Sequence, residues 1–378
     1  MQPIIDRILA TEVVVHARAG YVDRPAFGDS IFDKASKWLL EVRTSDGLVG
    51  YGESSRGVSR ADVEGSARTV LGRPLQDFPW RAQPLPDFSD NDMFGHRTPP
   101  VPHRLYERSF GTSGGMQALR VALDDLLAKQ QGVPLHHLFG GACRPSVPTS
   151  WWMGRTDPEH AARQMEIGVA LGFTGAKFKA AAEDDIRGSV RAIKQVAGEQ
   201  ATVGIDPNFR FYRLSEAVRL ARQLEEFDRV LLEDPFPFDV EEWRLFRQKT
   251  SVPLALHSGP LPLALAHHCC DYANLGGAAF SFMAGAHMAS HFHVLCWHGS
   301  GLELGILDAY RLHLAAATPS CVLPGDSVGP FIRADDLIEE ALVVRDGAIE
   351  VPTGVGLGVT PDRKAIEKHT CSQLVLTS

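Results

Sequence analysis

Three short segments at near-regular spacing constrain this chain more than any other feature. They are Ala176-Lys177-Phe178-Lys179-Ala180, Gly204-Ile205-Asp206-Pro207-Asn208 and Leu231-Leu232-Glu233-Asp234-Pro235. Each reads as a short apolar strand that stops on charged or polar residues. The glutamate follows the aspartate by 27 positions, room for one βα unit per segment. Every polar tip then falls at the C-terminal end of its strand. A parallel barrel gathers those ends at one mouth, where enzymes of this architecture place their chemistry. Lysines beside carboxylates that can hold a metal suit the removal of a proton next to a substrate carboxylate.

Lys177 and Lys179 sit two apart, so on one strand both face the same side. In a barrel that side is the interior. Inward lysines are costly unless they serve each other or a ligand. Crowding near a metal should depress the pKa of at least one of them and free a neutral amine as base.

The length, 378 residues, allows a large core and more than one domain. Hydrophobic residues at 44% and charged ones at 22% describe an ordinary globular chain. A net charge of -8 without a lysine-arginine cluster argues against a nucleic-acid surface. The start, Met1-Gln2-Pro3-Ile4-Ile5-Asp6-Arg7, lacks the apolar core of a signal peptide. No run reaches the roughly 18 apolar residues of a membrane helix. The nearest candidate, 261–270, is broken by His267 and His268. Six cysteines without CxxC spacing read as reduced thiols, which places the protein in the cytoplasm.

The chain divides by pattern. Thr11–Val15, a stretch at 37–44 and the segment Leu48-Val49-Gly50-Tyr51-Gly52-Glu53 read as antiparallel strands, with Ser45-Asp46-Gly47 as a hairpin turn. The glycine- and proline-rich stretch 20–32 is a candidate lid. Helical periodicity runs over 114–131. From about 147, strands alternate with helices. The strand candidates are 148–152, 175–180, 201–205, 229–233, 253–257, 272–275, 293–298 and 321–323. Eight is the number that a closed (β/α)8 barrel wants. The last stretch, around Gly354-Val355-Gly356-Leu357-Gly358-Val359, turns β- and glycine-rich again. This gives an α/β fold of a modified TIM barrel with an α+β capping domain. Residues 1–140 form the cap, residues 346–378 pack back on it, and residues 141–345 form the barrel.

At this point the chain resembles the enolase superfamily, in its mandelate racemase/muconate lactonizing enzyme branch. The resemblance rests on the Gly50–Glu53 stretch, the run Ala122-Leu123-Asp124-Asp125-Leu126-Leu127-Ala128-Lys129, and Leu138-Phe139-Gly140-Gly141. It adds the three polar-tipped strands and His298-Gly299-Ser300-Gly301-Leu302-Glu303-Leu304-Gly305-Ile306. It implies a Mg2+ ion held by carboxylates from successive strands, and abstraction of the proton α to a carboxylate. It also implies a homo-oligomer.

The resemblance assigns the base to Lys179, with Lys177 supporting it or touching the substrate carboxylate. Asp206 and Glu233 match the first two metal ligands, as hard oxygens suit Mg2+. Asn208 and Arg210 are candidate substrate contacts. The fifth strand departs from the pattern. It ends Leu254-Ala255-Leu256-His257-Ser258-Gly259, where the family places a third carboxylate. His257 either ligates through one nitrogen, cedes the position to water, or touches substrate. An imidazole favours Mn2+ or another divalent ion over Mg2+. The sixth strand, Tyr272-Ala273-Asn274-Leu275, lacks the second lysine and the aspartate that two-sided proton chemistry uses in this family. His298 closes the seventh strand and is either the opposite-face acid or a packed core histidine. Glu303 is either a polar contact in the site or a helix-start carboxylate.

These residues point to a small-molecule carboxylate as substrate, with no membrane or nucleic-acid partner. Dehydration of a hydroxylated, sugar-type acid is favoured, because racemisation needs bases on both faces. Racemisation and cycloisomerisation stay open, as does a weakened member that binds a ligand without turning it over. A nucleotide-binding Gly-x-Gly-x-x-Gly in a βαβ unit is missing, and His298-Gly299-Ser300-Gly301 lacks the Gly-x-Ser-x-Gly spacing of a hydrolase elbow.

Overall fold

The computed structural model describes residues 2–22, 24–25, 31–75, 114–326 and 329–378. Residues 23 and 26–30 of the candidate lid at 20–32 lie outside them.

The cap is an antiparallel sheet. Strands β1 (Ile5–His16), β2 (Lys34–Thr44) and β3 (Val49–Glu53) form a meander in which Ala10 faces Leu40 and Leu40 faces Gly52. Gly47 turns the β2–β3 hairpin at φ 93°, a left-handed conformation that glycine adopts without penalty. The helix Gly114–Gln131 lies across this sheet. Contact is close because β3 carries glycines. A Cβ at Gly50 would stand 2.2 Å from the Ala122 carbonyl, and one at Gly52 would stand 2.1 Å from that of Ala118. The helix serves two cores. Ala118, Leu119, Ala122 and Leu126 pack into the cap, while Val121 and Ala128 join the barrel core.

Seven parallel strands make the barrel wall: β5 (Trp151–Arg155), β6 (Ala176–Lys179), β7 (Val203–Asp206), β8 (Val230–Glu233), β9 (Leu254–Leu256), β10 (Tyr272–Leu275) and β11 (Leu295–His298). They follow chain order, as short right-handed βα connections dictate. β6, β7 and β8 are buried at every position, which fits strands covered on both faces. The amphipathic helices Ile186–Ala197 and Leu214–Arg222 cover them, each turning its alanine, valine, leucine and isoleucine face inward.

Two sequence expectations shift here. The candidate at 148–152 is split: Ser146–Pro148 (β4) pairs antiparallel with Ala348–Glu350, and the parallel strand starts at Trp151. The eighth strand at 321–323 is replaced by an irregular run with single parallel bridges, Cys296 to Cys321 and Thr149 to Gly325. Pro319 and Pro324 flank it, and proline cannot donate to a ladder. The wall therefore closes through isolated hydrogen bonds rather than a regular strand.

The chain end returns to the cap. Leu357 N donates to Asp125 Oδ1 at 2.8 Å on the long cap helix. The last strand, Thr370–Thr377, pairs antiparallel with β1. The segment Ala348–Glu350, by contrast, stays with β4 beside the barrel.

Candidate active site

Strand register brings the charged tips together. Lys179 on β6 stands level with Asp206 on β7, and Lys177 stands level with Trp152 on β5. Lys179 Nζ donates to Asp206 Oδ2 at 2.5 Å. Lys177 Nζ lies 2.8 Å from Glu233 Oε2, 3.5 Å from Asp206 Oδ2 and 3.2 Å from Asp326 Oδ2. Two lysines and two acids from three successive strand ends, with Asp326 from the irregular run that closes the wall, thus share one buried cluster.

Asp326 was not singled out in the sequence. It follows Pro324-Gly325, just past the weak eighth strand candidate, where no periodicity marks it. Its Oδ1 is buried and meets no hydrogen-bond donor among the described residues.

Charge and burial oppose each other here. Burial disfavours the Lys177 ammonium, yet Asp326, Glu233 and Asp206 together raise its pKa well above the ordinary value. The expected depression does not occur at this lysine, because three carboxylates outweigh desolvation. Asp206 shows the mirror effect: burial would raise it, but Lys179 and Lys177 hold it below the usual carboxylate range. Asp234 is pushed up to about 6 by burial and by Glu233 beside it. Its carboxylate accepts the backbone N–H groups of His257 at 2.9 Å and Ser258 at 2.7 Å. Asp234 therefore fixes the turn that presents His257.

His257 Nδ1 lies 3.3 Å from Glu233 Oε1, with 44% of its side chain open to solvent. Burial in the crowded mouth disfavours its charge, but the hydrogen bond to Glu233 and the charges of Glu233 and Asp234 together outweigh that and raise its pKa. Solvent access at that side chain softens both effects. Asn274 Nδ2 donates to the same Glu233 oxygen at 2.9 Å, and its own Oδ1 meets no donor among the described residues. Asn208 follows Asp206 in a left-handed turn at φ 45°, with its N–H on Asp206 Oδ1 at 3.1 Å. Its buried Oδ1 has no hydrogen-bond donor either. Arg210 is half-buried in the same turn.

These donors suit a hard divalent cation in kind. Asp206 and Glu233 supply buried carboxylate oxygens, and unpaired amide oxygens of Asn208 and Asn274 stand nearby. Mg2+ commonly takes one or two protein carboxylates and completes its shell with water and substrate. Among the described residues no three histidine, cysteine or acidic side chains are already grouped around an ion position. Lys177 occupies the space between the acids.

The remaining candidates are held by their own chain. His298 is buried with its ring 4.5 Å from that of Phe282. Its Nδ1 faces the Gly299 carbonyl at 2.9 Å and its Nε2 faces that of Gly277 at 3.0 Å. Burial and the Arg311 charge lower its pKa to about 4. A neutral imidazole can donate to only one of the two carbonyls. Glu303 is buried, accepts from Ser300 Oγ and Gly301 N at 2.7 Å each, and pairs with Arg311. Of the two tryptophans, Trp151 packs under the helix Pro158–Ala170 against Gly168, whereas Trp152 meets Phe32 of the cap at 6.0 Å.

Two clefts, of about 550 and 530 Å³, lie at the opposite end of the barrel. They are lined by residues such as Thr202, Arg229, Pro253 and Tyr272, at the start of their strands. Neither gathers the lysines and acids that define the mouth.

A family model described as enolase C-terminal domain-like matches residues 160–365, more than half of the chain. The chain belongs to the enolase superfamily. Its relatives place it in the mandelate racemase/muconate lactonizing branch. It is 26% identical over 361 residues to a D-gluconate dehydratase of Thermoproteus tenax, covering 88% of this chain and 69% of that one. It is 28% identical over 288 residues to a chloromuconate cycloisomerase of Pseudomonas putida, covering 70% and 75%. A solved enolase from Thermobispora bispora, complexed with magnesium and formate, superposes with a TM-score of 0.77 at 22% identity, over 98% and 92% of the two chains. The curved parallel sheet under an antiparallel cap is the fold this superfamily shares. Among the described residues no helix is long and apolar enough to cross a membrane.

Proposed function

We propose that this superfamily member removes the proton α to the carboxylate of a small hydroxylated acid, and that dehydration of a sugar-type acid is its reaction. The observation that carries this reading is the convergence of Lys177, Lys179, Asp206 and Glu233 at one barrel mouth. Lys179 is the base. Lys177, held as an ammonium by three carboxylates, is suited to receive and orient the substrate carboxylate. Asp206 and Glu233 would hold Mg2+, with His257 or water beside them. When bound, the metal supplies electrostatic stabilisation of the charge that grows on the substrate carboxylate as the proton leaves.

Asn208 and Arg210 line the turn after β7 and would contact substrate hydroxyls. Lys179, once protonated, is the group that returns a proton to the leaving hydroxyl. His298 could take that part only by giving up its contact with the Gly277 carbonyl, and Glu303 could contact substrate only by sharing its oxygens with Arg311. The resemblance to a dehydratase and the single-sided set of bases both favour lyase over racemase chemistry. We also place the enzyme in the cytoplasm as a homo-oligomer; all six cysteines are free thiols, which suits a reducing compartment.

A binding protein without turnover is the second reading, favoured by the histidine in place of an acid at the end of β9. Calorimetric titration of Mg2+ and Mn2+ into metal-stripped protein separates the two. Saturable binding that Glu233→Gln weakens by about 10-fold or more supports the enzyme. No binding of either ion to the wild type favours the binder. A loss in His257→Ala would make the imidazole a ligand.

A further inference from the structure

At the cap side of the mouth stand two arginines that the chemistry above does not use. Arg333 follows the short helix Gly329–Ile332 and is 0% exposed. Its Nη1 donates to the Phe32 carbonyl at 2.8 Å. Its Nε and Nη2 are buried and meet no acceptor among the described residues. Arg56, from the loop after β3, lies with its guanidinium 3.8 Å from the centre of the Phe32 ring. Two cations therefore grip one phenylalanine, Arg333 through its carbonyl and Arg56 through its ring face.

Phe32 connects them to the mouth. Its ring stands 6.0 Å from that of Trp152, and Trp152 is level with Lys177 on the neighbouring strand. The same stretch of chain carries Asp326, which reaches Lys177, and seven positions later Arg333.

Burying an unpaired guanidinium is expensive, and leaving its N–H groups unbonded adds to the cost. Burial and the neighbouring Arg56 lower the pKa of Arg333 to about 10, and burial lowers that of Arg56. The Glu303 charge reaches both arginines and that of Asp33 reaches Arg333, but the Glu303 oxygens are already taken by Arg311, Ser300 and Gly301. Among the described residues neither arginine has a bonded counter-ion, which leaves donors free for an anion. Planar donors in a fixed fork match a carboxylate or a phosphate.

We propose that Arg56 and Arg333 bind a second anionic group, a carboxylate or a phosphate, at the far end of the substrate whose first carboxylate sits at the lysines. This rests on the barrel mouth being a carboxylate site, and it narrows the substrate to a dianionic acid.

The test is calorimetric titration of D-glycerate, malate and 3-phosphoglycerate into protein in excess Mg2+, for wild type, Arg56→Gln and Arg333→Gln. At least one dianion should bind the wild type about tenfold or more tighter than glycerate. That preference should collapse to about twofold in either variant, with glycerate affinity unchanged. The tighter of the two dianions names the group. Should Arg333→Gln fail to fold, the half-buried Arg56→Gln carries the comparison. Equal binding of all three acids, or a preference that survives both substitutions, overturns the inference and leaves the proton-abstraction reading standing. No acid binding at all overturns both.

Discussion

Lys179 Nζ and Asp206 Oδ2 stand 2.5 Å apart across adjacent parallel strands, level in register. Lys177, two positions earlier, meets three acids instead. The same strand thus carries two lysines in unlike surroundings, and substitutions should separate them. Lys179→Met should lower α-proton exchange by about 10²–10⁴-fold while the fold survives. Lys177→Met leaves three buried carboxylates short of a counter-ion and should cost about 3–5 kcal/mol of stability. Urea unfolding of both variants checks the contrast. Equal stability losses would contradict the division of roles.

The joint between cap and barrel is also electrostatic. Glu53 at the end of β3 is fully buried and accepts from Leu304 N at 2.8 Å and Leu307 N at 2.9 Å. These are unpaired donors at the start of the helix Gly305–Ala316. Lys37 Nζ completes the site at 2.7 Å from Glu53. Lys37→Met should therefore destabilise by about 3–5 kcal/mol, since it strands a buried charge. Denaturant midpoints would show it. A change under about 1 kcal/mol would mean that the helix N–H groups hold Glu53 on their own.

Close approach of sheet and helix makes β3 intolerant of side chains. Gly52→Val would place its Cβ against the Ala118 carbonyl, 2.1 Å away. Backbone cannot yield as a flexible side chain does, so a loss of about 3 kcal/mol or more is expected. Unchanged thermal unfolding would show that the cap can open locally without cost.

Stability should fall as pH rises past neutrality, with Asp308 as a main contributor. Asp308 is buried, and neither oxygen accepts a hydrogen bond among the described residues. Burial and the neighbouring Glu303 push its pKa up to about 8. The unfolded value is about 3.9, so over that window the native state keeps a proton that the unfolded chain has released. Stability from this group is full below about pH 4 and is lost as pH rises through about 8. Asp234, raised to about 6, has the same sign at lower pH, so the window to read is above that value. Asp308→Asn should flatten the decline in melting temperature between neutral and mildly alkaline pH. An identical slope in wild type and variant would contradict the assignment.

Much of this was legible in the residues. The Lys-x-Lys, Asp-x-Asn and Glu-Asp-Pro tips announced parallel strands whose ends converge, because period and burial agree in such short apolar runs. The Asp46-Gly47 turn and the helix at 114–131 followed from turn chemistry and periodicity. Asp326 was not legible, since it lies in an irregular run that long-range closure alone positions. Nor was the setting of His298: sequence put it at a strand end but could not show both ring nitrogens facing backbone carbonyls. Arg56 and Arg333 lie 277 positions apart, and only the folded chain sets both against Phe32.

The central claim is proton abstraction at the lysine pair. It is tested most directly by incubating wild type and Lys179→Met with a panel of mono- and dianionic sugar acids in D2O with Mg2+, and following the α-position by NMR. The account predicts deuterium incorporation or loss of water for at least one acid with the wild type, and neither with the variant. Turnover that persists undiminished in Lys179→Met, or a wild type that binds Mg2+ and an acid yet exchanges no α-proton, would contradict it.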